Sequence, residues 1–265
     1  MAGMFSNAAA YDGYMGRWSA KLAPLFLDFA GIHDGGRLLD VGCGTGALCR
    51  AAAEAAPRSE VVGVDPAQAF IEHARAQCTD PRITYDLGDA LNLSYPDDSF
   101  DQSLSLLVFM FIPQGERAAG EMRRVTRPGG AVAACTWDSG DGKMELASTF
   151  WEEAVRLDPA AEARRADKTL RYNRRGELGA LWKGIGLEGV EETAIGMRME
   201  FASFGDYWLP LQREVGPIGT YAKGLSPEAR DALRGALRAR FLGGGPDGPF
   251  TLRARAWAAR GTVPG

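Results

Sequence analysis

The chain has 265 residues, 46% of them hydrophobic, and a formal net charge of −4. That is enough apolar material for the core of one large α/β domain with additions. The acidic balance excludes a protein whose main task is to neutralise nucleic-acid phosphates, and the absence of a long apolar run or an apolar leader predicts a cytoplasmic protein with no membrane span.

In chain order the pattern predicts an N-terminal helix over 14–30, with Leu22, Leu25, Phe26 and Phe29 at helical spacing. Strands are expected near 36–41, 60–64, 82–86, 100–106 and 130–136, separated by helices near 46–56, 67–77 and 114–126. Pro57, Pro81 and Pro128-Gly129-Gly130 punctuate these units. After Asp138 the repeat changes: 141–172 reads as helical without a strand, Glu177 to Ile185 as a helix, and Val190 to Phe201 as a strand. A second insertion covers 203–245 before a last strand from Phe250 to Arg260. Alternation of this kind gives an α/β fold with a doubly wound, mostly parallel sheet.

The junction at the first strand carries most of the chemistry. Leu38-Leu39-Asp40-Val41 runs into Gly42-Cys43-Gly44-Thr45-Gly46 and then into an alanine-rich helix. Glycines here let a ligand approach bare backbone, and the helix start offers unpaired N–H donors, so the loop is a cofactor cradle. Its shape alone leaves the cofactor open, because Gly42-x-Gly44-x-x-Ala47 also fits a dinucleotide fingerprint. Asp40, Asp65 and Asp89 end successive strands about one strand-plus-helix unit apart, and parallel strands bring such residues to one edge of the sheet. The four cysteines lack metal-ligand spacing; Cys43 and Cys49, six positions apart, read as small packed residues and not as a redox pair.

These segments, with Val64-Asp65-Pro66, Gly88-Asp89-Ala90, Tyr95-Pro96-Asp97-Asp98-Ser99-Phe100-Asp101 and Arg127-Pro128-Gly129-Gly130, resemble the class I S-adenosylmethionine-dependent methyltransferases, and most of all their small-molecule branch with the ubiquinone and menaquinone C-methyltransferases. The resemblance covers residues 11–138. It implies a seven-stranded Rossmann-like sheet with the last strand antiparallel, S-adenosyl-L-methionine as cofactor and S-adenosyl-L-homocysteine as product. It further implies that Asp65 takes the ribose hydroxyls, Asp89 the adenine amino group, the Ala90 N–H a ring nitrogen, and that Asp40 lies near the methionine ammonium and sulfonium. Gly42, Cys43, Gly44 and Gly46 would cradle the cofactor, and Pro66 and Leu106 complete the set. Tyr14 and Arg17 are candidates for holding the methionine carboxylate or closing the site. Tyr207, Trp208 and Tyr221, with Phe204, are candidates for the acceptor pocket. On this reading 36–138 forms the cofactor core of a single domain, while 1–30, 141–172 and 203–245 cover the acceptor side.

In-line methyl transfer needs placement and exclusion of water more than acid–base chemistry. Neither His33 nor His73 is placed as a general base, and Asp138 and Asp141 do not make a metal cluster, so catalytic and metal residues stay unassigned. The basic stretch Arg164, Arg165, Lys168, Arg171, Arg174 and Arg175 reads as a solvated face. Two alternatives remain at this point. One is an NAD(P)-dependent oxidoreductase, against which stands the missing Tyr-x-x-x-Lys pattern; the other is a cofactor-binding regulatory module without turnover.

Overall fold

The computed structural model describes residues 8–165, 169–213 and 216–265. Its seven strands are β1 (Arg37–Val41), β2 (Glu60–Asp65), β3 (Ile83–Leu87), β4 (Phe100–Leu106), β5 (Thr126–Trp137), β6 (Glu188–Phe201) and β7 (Phe250–Thr262), in the order β3-β2-β1-β4-β5-β7-β6. The β1–β5 neighbours pair in parallel, and β7 lies antiparallel to both β5 and β6. The expected seven-stranded sheet with an antiparallel last strand is therefore the sheet observed.

Alternation along each strand splits the core between the two faces. Leu38 and Leu104 pack on one side with Leu22 and Phe26 of α2 (Arg17–Ala30), Cys49 of α3 (Ala47–Ala55) and Ile71 of α4 (Gln68–Gln77). Leu39, Val41 and Val62 pack on the other with Met122 of α5 (Gly115–Val125) and Trp182 of α7 (Glu177–Gly184). The remaining helices, α6 (Glu145–Leu157), α8 (Phe204–Leu211), α9 (Gly216–Gly224) and α10 (Pro227–Leu242), belong to the segments that interrupt the strand–helix repeat. No helix among the described residues is long and apolar enough to cross a membrane.

Two local departures from expectation have physical causes. The N-terminal helix begins earlier, with α1 (Ala8–Tyr11) and a π-helical turn (Asp12–Gly16) leading into α2, which stops at left-handed Gly31. Side-chain periodicity cannot reveal such a one-turn widening. β5 starts at Thr126 and not at 130, because Thr126 pairs with Phe100 across an irregular register and the Gly129 N–H donates to Val263 O at 2.9 Å. Within the basic stretch, Arg171 pairs with Glu116 at 2.5 Å and Arg165 with Glu162 at 3.7 Å; Lys168 lies outside the described residues.

Candidate active site

The C-terminal edges of β1, β2 and β4 open onto a cavity of about 590 Å3. Asp40, Gly42, Cys43, Gly44, Asp65, Pro66, Asp89, Ala90 and Leu106 all line it, as does Tyr14. The parallel sheet thus brings together carboxylates that are far apart in sequence, at the edge where such folds bind ligands.

The glycine loop has the backbone that its composition predicts. Gly42, Gly44 and Gly46 have φ of +78°, +53° and +84°, values that side-chain-bearing residues adopt only at a cost. A Cβ at Gly42 would stand 2.5 Å from a Val108 methyl, and one at Gly46 would stand 2.4 Å from the Tyr85 hydroxyl. Gly46 is not among the residues lining the cavity: its glycine serves the packing of the loop on Tyr85. At Gly44, by contrast, only Phe70 comes within reach, at 3.9 Å. Gly44→Ala is therefore expected to cost about 1–2 kcal/mol of stability from the left-handed backbone alone, measurable by urea unfolding.

Asp65 fastens this loop. Its Oδ2 accepts from the Gly44 N–H at 3.0 Å and its Oδ1 from the Ala67 N–H at 2.8 Å, and each oxygen keeps a lone pair for a ligand donor. Burial raises its pKa against these two hydrogen bonds, which lower it. Asp89 is exposed, and its Oδ1 accepts from the Leu91 N–H at 2.9 Å, which turns the chain after β3.

Asp40 is 2% exposed. Its Oδ2 accepts from the Cys49 thiol at 3.2 Å, and its Oδ1 has no protein partner. Burial pushes its pKa up to about 7, Asp65 adds in the same direction, and the thiol hydrogen bond opposes both. Between the ordinary carboxylate range and that value the folded chain holds a proton that the unfolded chain has released. The contribution of Asp40 to stability therefore falls as pH rises through this window. A cation brought beside the carboxylate favours its ionised form, so affinity for a cationic ligand should rise as pH climbs through about 7. Calorimetric titration on both sides of that pH checks this, and Asp40→Asn should flatten the dependence.

The N-terminal segment closes one side of the cavity through Tyr11, Tyr14, Met15 and Ser19. Asp12, in the π-helical turn, holds it there: Oδ1 accepts from Thr45 Oγ1 at 2.5 Å, and Oδ2 lies 2.8 Å from His73 Nε2. His73 is thereby a fastener of this segment. His33 lies outside the cavity, where its backbone N–H donates to Gln102 Oε1 at 2.9 Å.

Several candidate residues stand elsewhere. Arg17 does not reach the cavity; its Nη1 donates to Asp206 at 2.8 Å, and its guanidinium lies over the rings of Trp18 and Phe201. Tyr207 and Trp208 are buried behind the wall, Tyr207 among Phe201, Phe204, Phe241 and Phe250 and Trp208 stacked on Phe204. Tyr221 packs on Phe150 and Trp151, one layer outside the cavity. The wall itself comes from residues that the pattern alone did not single out: Phe111, Ile112 and Pro113 after β4, Trp137 at the end of β5, and Met144, Ala147 and Trp151 on or beside α6. A signal for the first three existed, an apolar run where a polar loop was due. Leu107, also in the wall, holds φ of +64°, with its N–H bonded to Cys135 O at 2.7 Å. Strain of this kind gathers where a backbone must shape a site.

Asp138, fully buried, is paired with Arg255, which also approaches Asp141 at 3.7 Å. No group of three or more His, Cys, Asp or Glu residues among those described could hold a metal ion.

Residues 39–134 match a methyltransferase domain family. The chain carries a class I S-adenosylmethionine-dependent methyltransferase domain. This methyltransferase domain is 35% identical over 118 residues to demethylmenaquinone methyltransferase of Thermus thermophilus, a match covering 44% of this chain and 52% of that protein. It is 33% identical over 105 residues to the methyltransferase GfsG of Streptomyces halstedii, covering 38% of each. The chain spans about half or less of the length of the curated relatives that it matches. A putative methyltransferase from Bacillus halodurans has the same fold, with a TM-score of 0.59 and 17% identity over 92% of this chain and 99% of that one.

Proposed function

We propose that the chain transfers a methyl group from S-adenosylmethionine to a small-molecule acceptor. The observation that carries this reading is the meeting of the glycine loop, Asp40, Asp65 and Asp89 in a cavity that continues into a walled apolar chamber. The residues present suit the cofactor: Gly44 lines the cavity with bare backbone, Asp65 has lone pairs for a vicinal diol, and Asp40 is a buried carboxylate suited to a cation. We assign Asp65 to the ribose, Asp89 and the Ala90 N–H to the adenine, and Asp40 to the methionine end. Residues 36–138 then carry the cofactor, and the described parts of the segments 1–30, 141–172 and 203–245 cover it; residues 1–7, 166–168 and 214–215 lie outside the described residues.

When bound, the cofactor supplies an activated methyl group on a sulfonium. The chain contributes alignment and dryness. Tyr11, Tyr14 and Met15 on one side and Phe111, Trp137 and Trp151 on another exclude water from the transfer. Among the described residues that line the cavity there is no histidine or lysine.

Calorimetry with S-adenosylmethionine, S-adenosylhomocysteine and NAD tests the reading. Binding of the two adenosyl ligands and not of NAD is expected; tighter binding of NAD would point to the oxidoreductase alternative and end the proposal.

A further inference from the structure

Among the described residues, every charged side chain that lines the cavity is an aspartate at a strand end: Asp40, Asp65 and Asp89. No lysine, arginine or histidine among the described residues lines it. The basic group nearest in sequence to the N-terminal wall, Arg17, is committed to Asp206 at 2.8 Å. Beyond the aspartates the chamber is walled by Phe111, Met144, Ala147, Trp151, Leu170 and Ile218. Such a wall gives no counter-charge to a phosphate or carboxylate and no acid to an ammonium, and a charge left unpaired there loses its hydration without replacement. Contact with rings and thioethers instead favours a flat or branched apolar body.

We infer that the methyl acceptor is a neutral, largely apolar molecule held between α6, the turn after β4 and the start of α9, and that phosphorylated and carboxylated acceptors are rejected by this wall. The inference rests on the methyltransferase reading given above. It moves acceptor selection from Tyr207, Trp208 and Tyr221, which stand behind the wall, to Ala147, Trp151, Leu170 and Ile218.

Trp137 and Trp151 lie in the wall and give a direct readout. Protein saturated with S-adenosylhomocysteine is titrated with 1-naphthol and with 1-naphthyl phosphate, following tryptophan quenching. Saturable binding of the naphthol, with the phosphate about tenfold weaker or worse, is expected. Ala147→Lys and, separately, Leu170→Lys place a cation at half-buried positions in the wall and should narrow or reverse that preference. Calorimetry of S-adenosylhomocysteine on each variant reports the cofactor half independently. If the homocysteine product fails to bind the native chain, the methyltransferase reading falls. If it binds but the phosphate binds as well as the naphthol, or neither probe saturates, the neutral-acceptor inference falls alone.

Discussion

Replacing Tyr207 by alanine is expected to lower the unfolding free energy by about 3–5 kcal/mol, the range for truncating a large buried aromatic, while the protein that remains folded binds S-adenosylhomocysteine as before. The ring is 2% exposed and meets Phe201 of β6, Phe204 of α8, Phe241 of α10 and Phe250 of β7 at centroid distances of 5.5, 5.8, 4.9 and 6.3 Å. It therefore joins two covering helices to the antiparallel edge of the sheet. Its hydroxyl, 3.4 Å from Leu146 O, adds a weak bond to α6. Urea unfolding gives the stability, and calorimetry on the folded fraction gives the affinity. Unchanged stability with lost acceptor binding would return Tyr207 to the acceptor wall.

Asp65→Ala should weaken binding of S-adenosylmethionine by about 1.5–3 kcal/mol, the worth of hydrogen bonds to a charged acceptor. The same carboxylate accepts from the Gly44 and Ala67 N–H groups, so the alanine variant also loosens the loop. Asp65→Asn separates the two effects, since its amide oxygen can still take one backbone bond while the charge is gone. Calorimetry on both variants is the measurement. Native affinity in either would remove Asp65 from the ribose site.

The sequence made the sheet legible because its strands are apolar runs ended by glycine or aspartate, and β1 to β4 fall within a residue of the expected 36–41, 60–64, 82–86 and 100–106. The cofactor side was legible for the same reason: once the strands are parallel, residues at their ends have to meet. The acceptor wall was not. Tyr207, Trp208 and Tyr221 occupy spacings that a core helix and a pocket-lining helix share, and only the partners across space decide between them. Arg17 illustrates the same limit, since its commitment to Asp206 joins segments remote in sequence. Met144 and Ile218 carry no chemical signature at all; they matter because of where α6 and α9 dock.

The place of β7 between β5 and β6 also bears on how the chain acquires its fold. Among the described residues β6 has no ladder partner other than β7, and β5 has β7 on the side away from β4. As the polypeptide is made, both strands emerge long before the segment that joins them, so an open sheet edge and an unpaired β6 must wait for residues 250–262. Closure requires contacts between distant parts of the sequence, which slows folding and exposes strand edges that favour aggregation in the interval. Since α8 and α10 are fastened to β6 and β7 by the Tyr207 aromatic cluster, the layer behind the acceptor wall takes shape at this late step, after the cofactor side has every strand it needs.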